Sequence, residues 1–318
     1  MENASFSKYV EVIYRGVLGR DPDPTGLQHY VSRLAAGVPV QVLIDDLLGS
    51  DEYRDKPTHP PKLDLPLGAI DRPITIVDIG AQKLAEEEHI YAPLLREGVP
   101  WRCVGFEPLE DKRRERSELE SDPRLQMVDA FIGDGRSHFF NELTDSGSSS
   151  LLELNAEFCS HFDHISGLRL VRTTPAKTKT LDKALIQLPW IDFLKLDIQG
   201  FEYSALKRAT SVLKRTSVVH CECLFGPMYK RQGYFSDIDQ LLRSLGFEFI
   251  DFSHLARYRY VKVAHPSHAG ERAIWGDAVF FRPLCPGRNS LATCVAQALI
   301  ADAVYGKPGL AQTVMDAL

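Results

Sequence analysis

Residues 74–108 read ITIVDIGAQKLAEEEHIYAPLLREGVPWRCVGFEP. An apolar β-type run, Ile74 to Val77, ends in Asp78, Ile79 and Gly80. A helical stretch follows, expected over 83–96. A second apolar run, Cys103 to Phe106, then ends in Glu107. Strand, tight turn, helix, strand and acid, in that order, place Asp78, Gly80 and Glu107 along one edge of a parallel sheet. That edge is where doubly wound folds hold nucleosides. A glycine at the turn lets the backbone approach a ligand closely. An acid at the end of the second strand can accept from both hydroxyls of a ribose.

The same stretch speaks against a dinucleotide. A pyrophosphate needs the spacing G-x-G-x-x-G, but Gly80 is followed by Ala81, Gln82, Lys83, Leu84 and Ala85. Glutamates 86–88 would repel phosphate. A nucleoside without phosphates fits better, and a nicotinamide-dependent oxidoreductase becomes the weaker alternative.

Outward from this stretch the chain alternates strand and helix from Ile74 to Pro283. Strands are predicted at 74–79, 102–107, 125–132, 192–198, 217–224, 247–253 and 277–282. Helices are predicted at 83–96, 109–120, 202–214 and 234–245. Strands separated by helices imply right-handed crossovers and a mostly parallel sheet. Between 136 and 190 the pattern is less regular. Its small-residue stretch TDSGSSS, 144–150, suits either a ligand loop or a plain surface loop.

The flanks are helical. In residues 6–55 apolar side chains recur at helical spacing in three sets, beginning at Val10, Leu27 and Val40. Asp23 and Pro24 read as N-cap and first position of the second helix, with Gly19 and Gly37 as stops. Residues 56–73 hold five prolines and read as a stiff linker. Past Cys285, Ala292, Val295, Ala296, Leu299 and Ala303 share a face, Gly306 stops the helix and Pro308 starts another. The expected division is therefore an N-terminal helical module (1–56), a linker (57–73), an α/β domain (74–284) and a helical tail (285–318). The tail can pack on the sheet, on the N-terminal helices or on another subunit.

Composition narrows the function. The 318 residues carry a formal net charge of −6, with no basic excess for a phosphate backbone, so nucleic acid is not an expected partner. No apolar run is long enough to span a bilayer. The opening MENASFSKYVEV lacks the pattern of a secretion signal, so a cytoplasmic location is expected. Cysteines 103, 159, 221, 223, 285 and 294 lie scattered in apolar segments and read as buried, reduced thiols.

A second chemical stretch is LKLDIQGFE, 194–202. Alternation puts Lys195, Asp197 and Gln199 on one face at the carboxyl end of an otherwise apolar strand. Such groups are costly unless they serve a site or pair with each other. On the next strand, period two separates His220 and Glu222 from Cys221 and Cys223. Tyr229, Tyr234 and Phe235 are candidates for an acceptor pocket or for core packing. His161, Asp163 and His164 read as solvated loop in preference to a metal site. Asp21 to Gly26 mimics a calcium loop, but Ser32 stands where the bidentate glutamate is needed, so a helix cap is the better reading. No metal is expected.

The motifs VDIGA, GFEP, SSSLLEL, TLDKAL, IDFLKLDIQGFEYSALKRA and VVHCECLFGPMYKRQGYFSDIDQLLRSLGFEFIDF resemble, in order and spacing, those of the FkbM family. These are S-adenosylmethionine-dependent O-methyltransferases with a Rossmann-like, class I sheet. The resemblance covers about residues 74–283. It implies S-adenosylmethionine as cofactor and a hydroxyl of a sugar, polysaccharide precursor or related metabolite as acceptor. It places Asp78, Gly80 and Ala81 at the methionine-side turn, Glu107 at the ribose and Asp134 at the adenine. Asp197 becomes the expected base, Glu222 or His220 its alternatives, and Lys195 the group that steers the carboxylate. Two departures stand out: Gln82-Lys83-Leu84 replaces the usual glycine-containing turn, and Gln199 replaces a common glutamate.

The N-terminal helices resemble a bacterial module of unknown function related to phycobilisome-linker-type repeats, which implies docking. Residues 6–55 and 285–318 are accordingly the candidate surfaces for a protein partner or self-association. A non-catalytic nucleoside-binding or assembly protein is the remaining alternative.

Overall fold

A computed structural model describes residues 2–18, 20–50, 52, 63–83, 88–263, 270–283 and 290–317. The chain forms two compact units, Met1–Pro61 and Lys62–Leu318. In the first, α1 (Glu2–Leu18), α2 (Pro24–Ala35) and α3 (Val40–Leu48) enclose a small core of Val10, Tyr14, Leu18, Leu34, Leu43 and Leu47. Asp23 caps α2 by accepting from the Thr25 and Gly26 amides, with Pro24 at the first helical position. Gly37, at φ +83°, follows the end of α2 in the left-handed conformation that suits glycine. Gly19 lies outside the described residues.

The second unit is built on seven strands: β1 (Ile74–Ile79), β2 (Trp101–Phe106), β3 (Leu125–Val128), β7 (Ile191–Leu196), β8 (Thr216–Leu224), β9 (Glu248–Tyr258) and β10 (Arg272–Phe281). They run in the order β3-β2-β1-β7-β8-β10-β9. The first five are parallel and β10 is antiparallel to both its neighbours. The strand order reverses between β1 and β7, which opens a crevice at their carboxyl ends.

The pleat sorts residues to two apolar layers. Val77, Ile79, Leu194, Leu196, Val219, Cys221 and Cys223 face the helical segments 202–206, 210–214 and 235–244. Ile74, Ile76, Phe193, Val218 and Val279 face the tail, whose helix Leu291–Leu299 contributes Val295, Ala296 and Leu299. Of the three placements open to the tail, the structure shows it on the sheet. Residues 63–73, expected as linker, also belong to this unit: Leu65 and Ile70 are buried in the same layer.

Several predicted elements change form. Of helix 83–96, residues 84–87 lie outside the described residues, and only Ala92–Leu95 is helical in the rest. Pro93 has no N–H to extend a helix from upstream. The predicted helix 202–214 is two short helices, Glu202–Leu206 and Thr210–Lys214. The second is started by Asp182, which accepts from the Ser211 and Val212 amides. The predicted strand 125–132 divides into β3 and β4 (Phe131–Ile132). β4 joins β5 (Ser137–Leu143) and β6 (Leu170–Lys179) in a separate sheet of order β4-β6-β5. That sheet occupies the stretch whose pattern looked irregular. Both faces of β6 are largely exposed, so its sequence carries no apolar alternation.

Candidate active site

The turn after β1 is fixed by a close approach. Gly80 has φ +79°, and a Cβ there would lie 1.8 Å from the Asp197 carbonyl oxygen. No side chain fits. The Gly80 and Ala81 amides both donate to Phe106 O, at 3.1 and 3.0 Å, and Asp197 N donates to Ile79 O at 3.0 Å. The ends of β1, β2 and β7 are thus knitted together at the topological switch point.

A cleft of about 690 Å³ opens there. Gly80, Gln82 and Glu107 line it on the β1–β2 side. Lys195, Asp197, Gln199, His220 and Glu222 line it on the β7–β8 side. Residues 145–151 also line it, so most of the TDSGSSS stretch borders the cleft. Six carboxylates (Glu88, Glu107, Asp145, Asp197, Glu222 and Asp277) line it against a single lysine, Lys195, and no arginine among the described residues.

The polar row continues the tail-covered face past its last apolar residues. Asp78 pairs in register with Lys195, and Lys195 with His220. Asp78 is fully buried and does not line the cleft. Its Oδ2 accepts from Tyr91 Oη at 2.7 Å and from Arg116 Nη1 at 2.8 Å. Its Oδ1 makes no hydrogen bond, but Lys195 Nζ is 3.5 Å away. Burial pushes its pKa up, yet Lys195 and Arg116 outweigh that and hold it well below the ordinary carboxylate range. Arg116 is 1% exposed and also donates to Ala81 O at 2.8 Å. It therefore braces the turn from behind.

Lys195 reaches Asp197 as well, Nζ to Oδ2 at 3.2 Å, so the pairing open from the sequence does form. Gln199 stands at φ +53°, unusual for a residue with a side chain. From there its Nε2 donates to Asp197 Oδ1 and to Glu222 Oε2, both at 2.8 Å. Tyr229 Oη lies 3.1 Å from its Oε1. Glu202 secures the same loop, accepting from the Ile198 amide at 2.7 Å.

Two buried carboxylates keep one oxygen unbonded toward the cleft. Glu107 is 5% exposed; its Oε1 accepts from the Leu109 amide at 2.8 Å, and its Oε2 accepts from no described residue. Burial, opposed by that amide bond, raises its pKa to about 7. Glu222 is 6% exposed; its Oε2 is held by Gln199, and its Oε1 accepts from no described residue. Burial and the neighbouring carboxylates Asp197, Glu202 and Asp277 push its pKa well up. His220 faces the other way chemically. Burial and Lys195 lower its pKa to about 3, and its Nδ1 sits 3.1 Å from Tyr305 Oη of the tail.

Other expected residues lie elsewhere. Ala81 is fully buried, with its carbonyl and amide both bonded inside the protein. Asp134 does not line the cleft; it accepts from the Arg136 amide and sits 2.7 Å from His138 Nε2, ordering the turn before β5. Tyr229 is buried, Tyr234 is exposed, and Phe235 packs on Phe225, Phe249 and Phe252. None of the three lines the cleft. Its aromatic lining on the β9–β10 side is Tyr258 and Trp275, on parts of these strands beyond the predicted ones. Asp163 is engaged by Arg259 at 2.7 Å, and no cluster fit for a metal ion occurs among the described residues. Cysteines 103, 159, 221, 223 and 294 are free and buried; Cys285 lies outside the described residues. No helix among the described residues is long and apolar enough to cross a membrane.

Residues 1–56 match a domain of unknown function, DUF4214. A search of curated proteins finds no match. Among solved structures, the chain is similar to a methyltransferase FkbM from Methylobacillus flagellatus KT at 15% identity and TM-score 0.35. The alignment covers 88% of this chain and 60% of that one, so the chain spans less than two thirds of that relative's length. It is also similar to magnesium protoporphyrin IX methyltransferase (ChlM) from Synechocystis PCC 6803 with bound SAM, at 9% identity and TM-score 0.33, covering 89% and 97%. A third is the N-terminal domain of EvdMO1 in the presence of SAH and D-fucose, at 11% identity and TM-score 0.33, covering 68% and 78%. Residues 78–249, from the buried aspartate of β1 to the start of β9, match the methyltransferase FkbM domain; with more than half its length in that match, the chain belongs to the FkbM methyltransferase family.

Proposed function

We propose that the cleft binds S-adenosylmethionine on its β1–β2 side and methylates a hydroxyl presented on its β7–β8 side. The observation that carries this reading is the pair of buried carboxylates, Glu107 and Glu222, each with an unbonded oxygen toward one cleft. Glu107 suits the ribose diol, because two hydroxyl donors satisfy its Oε2. Gly80 suits a ligand that must lie against backbone. Six carboxylates and one lysine suit a cationic, phosphate-free cofactor and oppose a dinucleotide. Asp78, which does not line the cleft, has the role of a positioning residue: with Arg116 it holds the turn that carries Gly80.

When bound, the cofactor supplies an electrophilic methyl group on a cationic sulfur, and a neutral thioether leaves. The chain's task is to orient the acceptor oxygen in line and to take its proton. Orientation can supply up to about 7–11 kcal/mol of barrier reduction in well-aligned systems. A base contributes roughly 10²–10⁴-fold more. Of the three candidate bases, Glu222 is favoured. Its raised proton affinity and unbonded Oε1 match what a base needs, whereas both Asp197 oxygens are engaged by Lys195 and Gln199. His220, with its pKa near 3, is too weakly basic. Lys195, Asp197 and Gln199 then serve to hold Glu222 in place.

The test is a pair of variants read two ways. Glu222→Gln is expected to lower turnover at least roughly 10²-fold while S-adenosylhomocysteine still binds. Glu107→Ala is expected to weaken that binding. If Asp197→Asn, and not Glu222→Gln, removes turnover with binding intact, the base is Asp197. Unchanged affinity in Glu107→Ala would remove that residue from the ribose site.

A further inference from the structure

The acceptor side of the cleft is built partly by residues beyond the family match. Trp275 on β10, with Tyr258 and His254 on β9, lines it. His254 lies against Trp275 with ring centroids 4.8 Å apart. The indole Nε1 already donates to Tyr258 Oη at 2.9 Å, so Trp275 can offer the cleft only π surface. Next to it in the strand's alternation is Asp277, paired in register with Glu222. Among the described residues, the one lysine or arginine that lines the cleft, Lys195, is shared between Asp78 and Asp197.

An aromatic face beside carboxylates is selective. The π surface attracts C–H faces and cations. Carboxylates accept from hydroxyls and pair with an ammonium. A phosphate or carboxylate on the acceptor would meet these like charges where Lys195 is the one lysine or arginine among the described lining residues, which is unfavourable in a partly buried site. We infer that this side of the cleft takes an amine-bearing ring polyol as acceptor and excludes phosphorylated or carboxylated ones. The inference rests on the methyl-transfer reading above and deepens it to a substrate class.

The other two tryptophans, Trp101 and Trp190, do not line the cleft, so Trp275 is an internal reporter. The full-length protein is titrated by tryptophan fluorescence with a methyl hexoside, its amino analogue, its uronate and its phosphate ester. The expected result is a saturable change that Trp275→Phe abolishes. The amino sugar should bind at least about tenfold tighter than the neutral one. No saturation is expected with the two anions. Asp277→Asn should remove the advantage of the amine. Equal or tighter binding of an anion, a neutral hexoside as tight as the amine, or no saturable signal from any of the four would overturn the proposal. Calorimetry with S-adenosylhomocysteine on the same preparation separates the two levels. Cofactor heat without the amine preference ends only the substrate inference; absence of cofactor heat ends the methyl-transfer reading.

Discussion

Glu107 carries a consequence for pH. Its folded pKa of about 7 lies above the ordinary 4.5, chiefly because it is buried. The protonated folded form is favoured, so this group stabilises the empty protein below 4.5 and that contribution is lost as pH rises through about 7. Ribose hydroxyls need the ionised form as acceptor. Affinity for S-adenosylhomocysteine is therefore expected to rise as pH climbs through about 7 and then level off. Glu107→Gln should flatten the profile; a slope that survives in the variant assigns it to another group. Arg116 is the second case. It is a buried cation whose partners are Asp78, Glu120, Ala81 O and Tyr91. Arg116→Met leaves Asp78 buried without its closest cation and is expected to cost about 3–5 kcal/mol of stability in urea unfolding. A loss below about 1 kcal/mol would show that Lys195 and His89 suffice to balance Asp78. Glu107 was legible in the sequence because strand, acid and proline mark a position. Arg116 was not. The segment EDKRRERSEL shows no apolar stripe, and nothing in it distinguishes the one arginine that turns inward. The distinction is made by Asp78 and Tyr91, far away in sequence.

At the level of elements, periodicity was legible wherever one side of an element meets a core. β1 was read with its observed limits, and β2, β7 and β8 within one or two residues, because both their faces are covered and the runs are continuously apolar. The second sheet was not legible, since it is mostly exposed. The extensions of β9 and β10 were missed for a related reason: Tyr258 and Trp275 are only half-buried, packing on a small side cluster while they line the cleft, so no continuous apolar run marks them. The tail's helical periodicity was plain, but its partner was not, because an apolar stripe does not name the surface it covers. Leu299, 1% exposed against the face of Ile76 and Phe193, now tests that assignment. Leu299→Ala is expected to cost about 2–5 kcal/mol in urea unfolding. A surface-like loss of less than about 0.5 kcal/mol would mean that the tail does not complete the core.

At the level of the molecule, the two units pose a separable question. The N-terminal unit has its own core of six buried side chains, and the second unit holds the sheet, the tail and every residue that lines the cleft. The two units divide at Pro61 and Lys62, within the Pro-rich stretch 56–73, and Leu65 and Ile70 of that stretch lie in the sheet unit's core. A fragment of residues 62–318 retains the complete larger core, so it is expected to unfold in one cooperative transition and to bind S-adenosylhomocysteine within about twofold of the full chain, a difference of only ~0.4 kcal/mol. Calorimetry on the fragment checks both halves of that expectation. Loss of cofactor binding with cooperative unfolding intact would mean that the helical module completes the site. Loss of cooperative folding would mean that the larger core depends on it. If affinity holds while methylation of the native acceptor falls, the module acts on the acceptor's delivery, which is the role a docking unit would have.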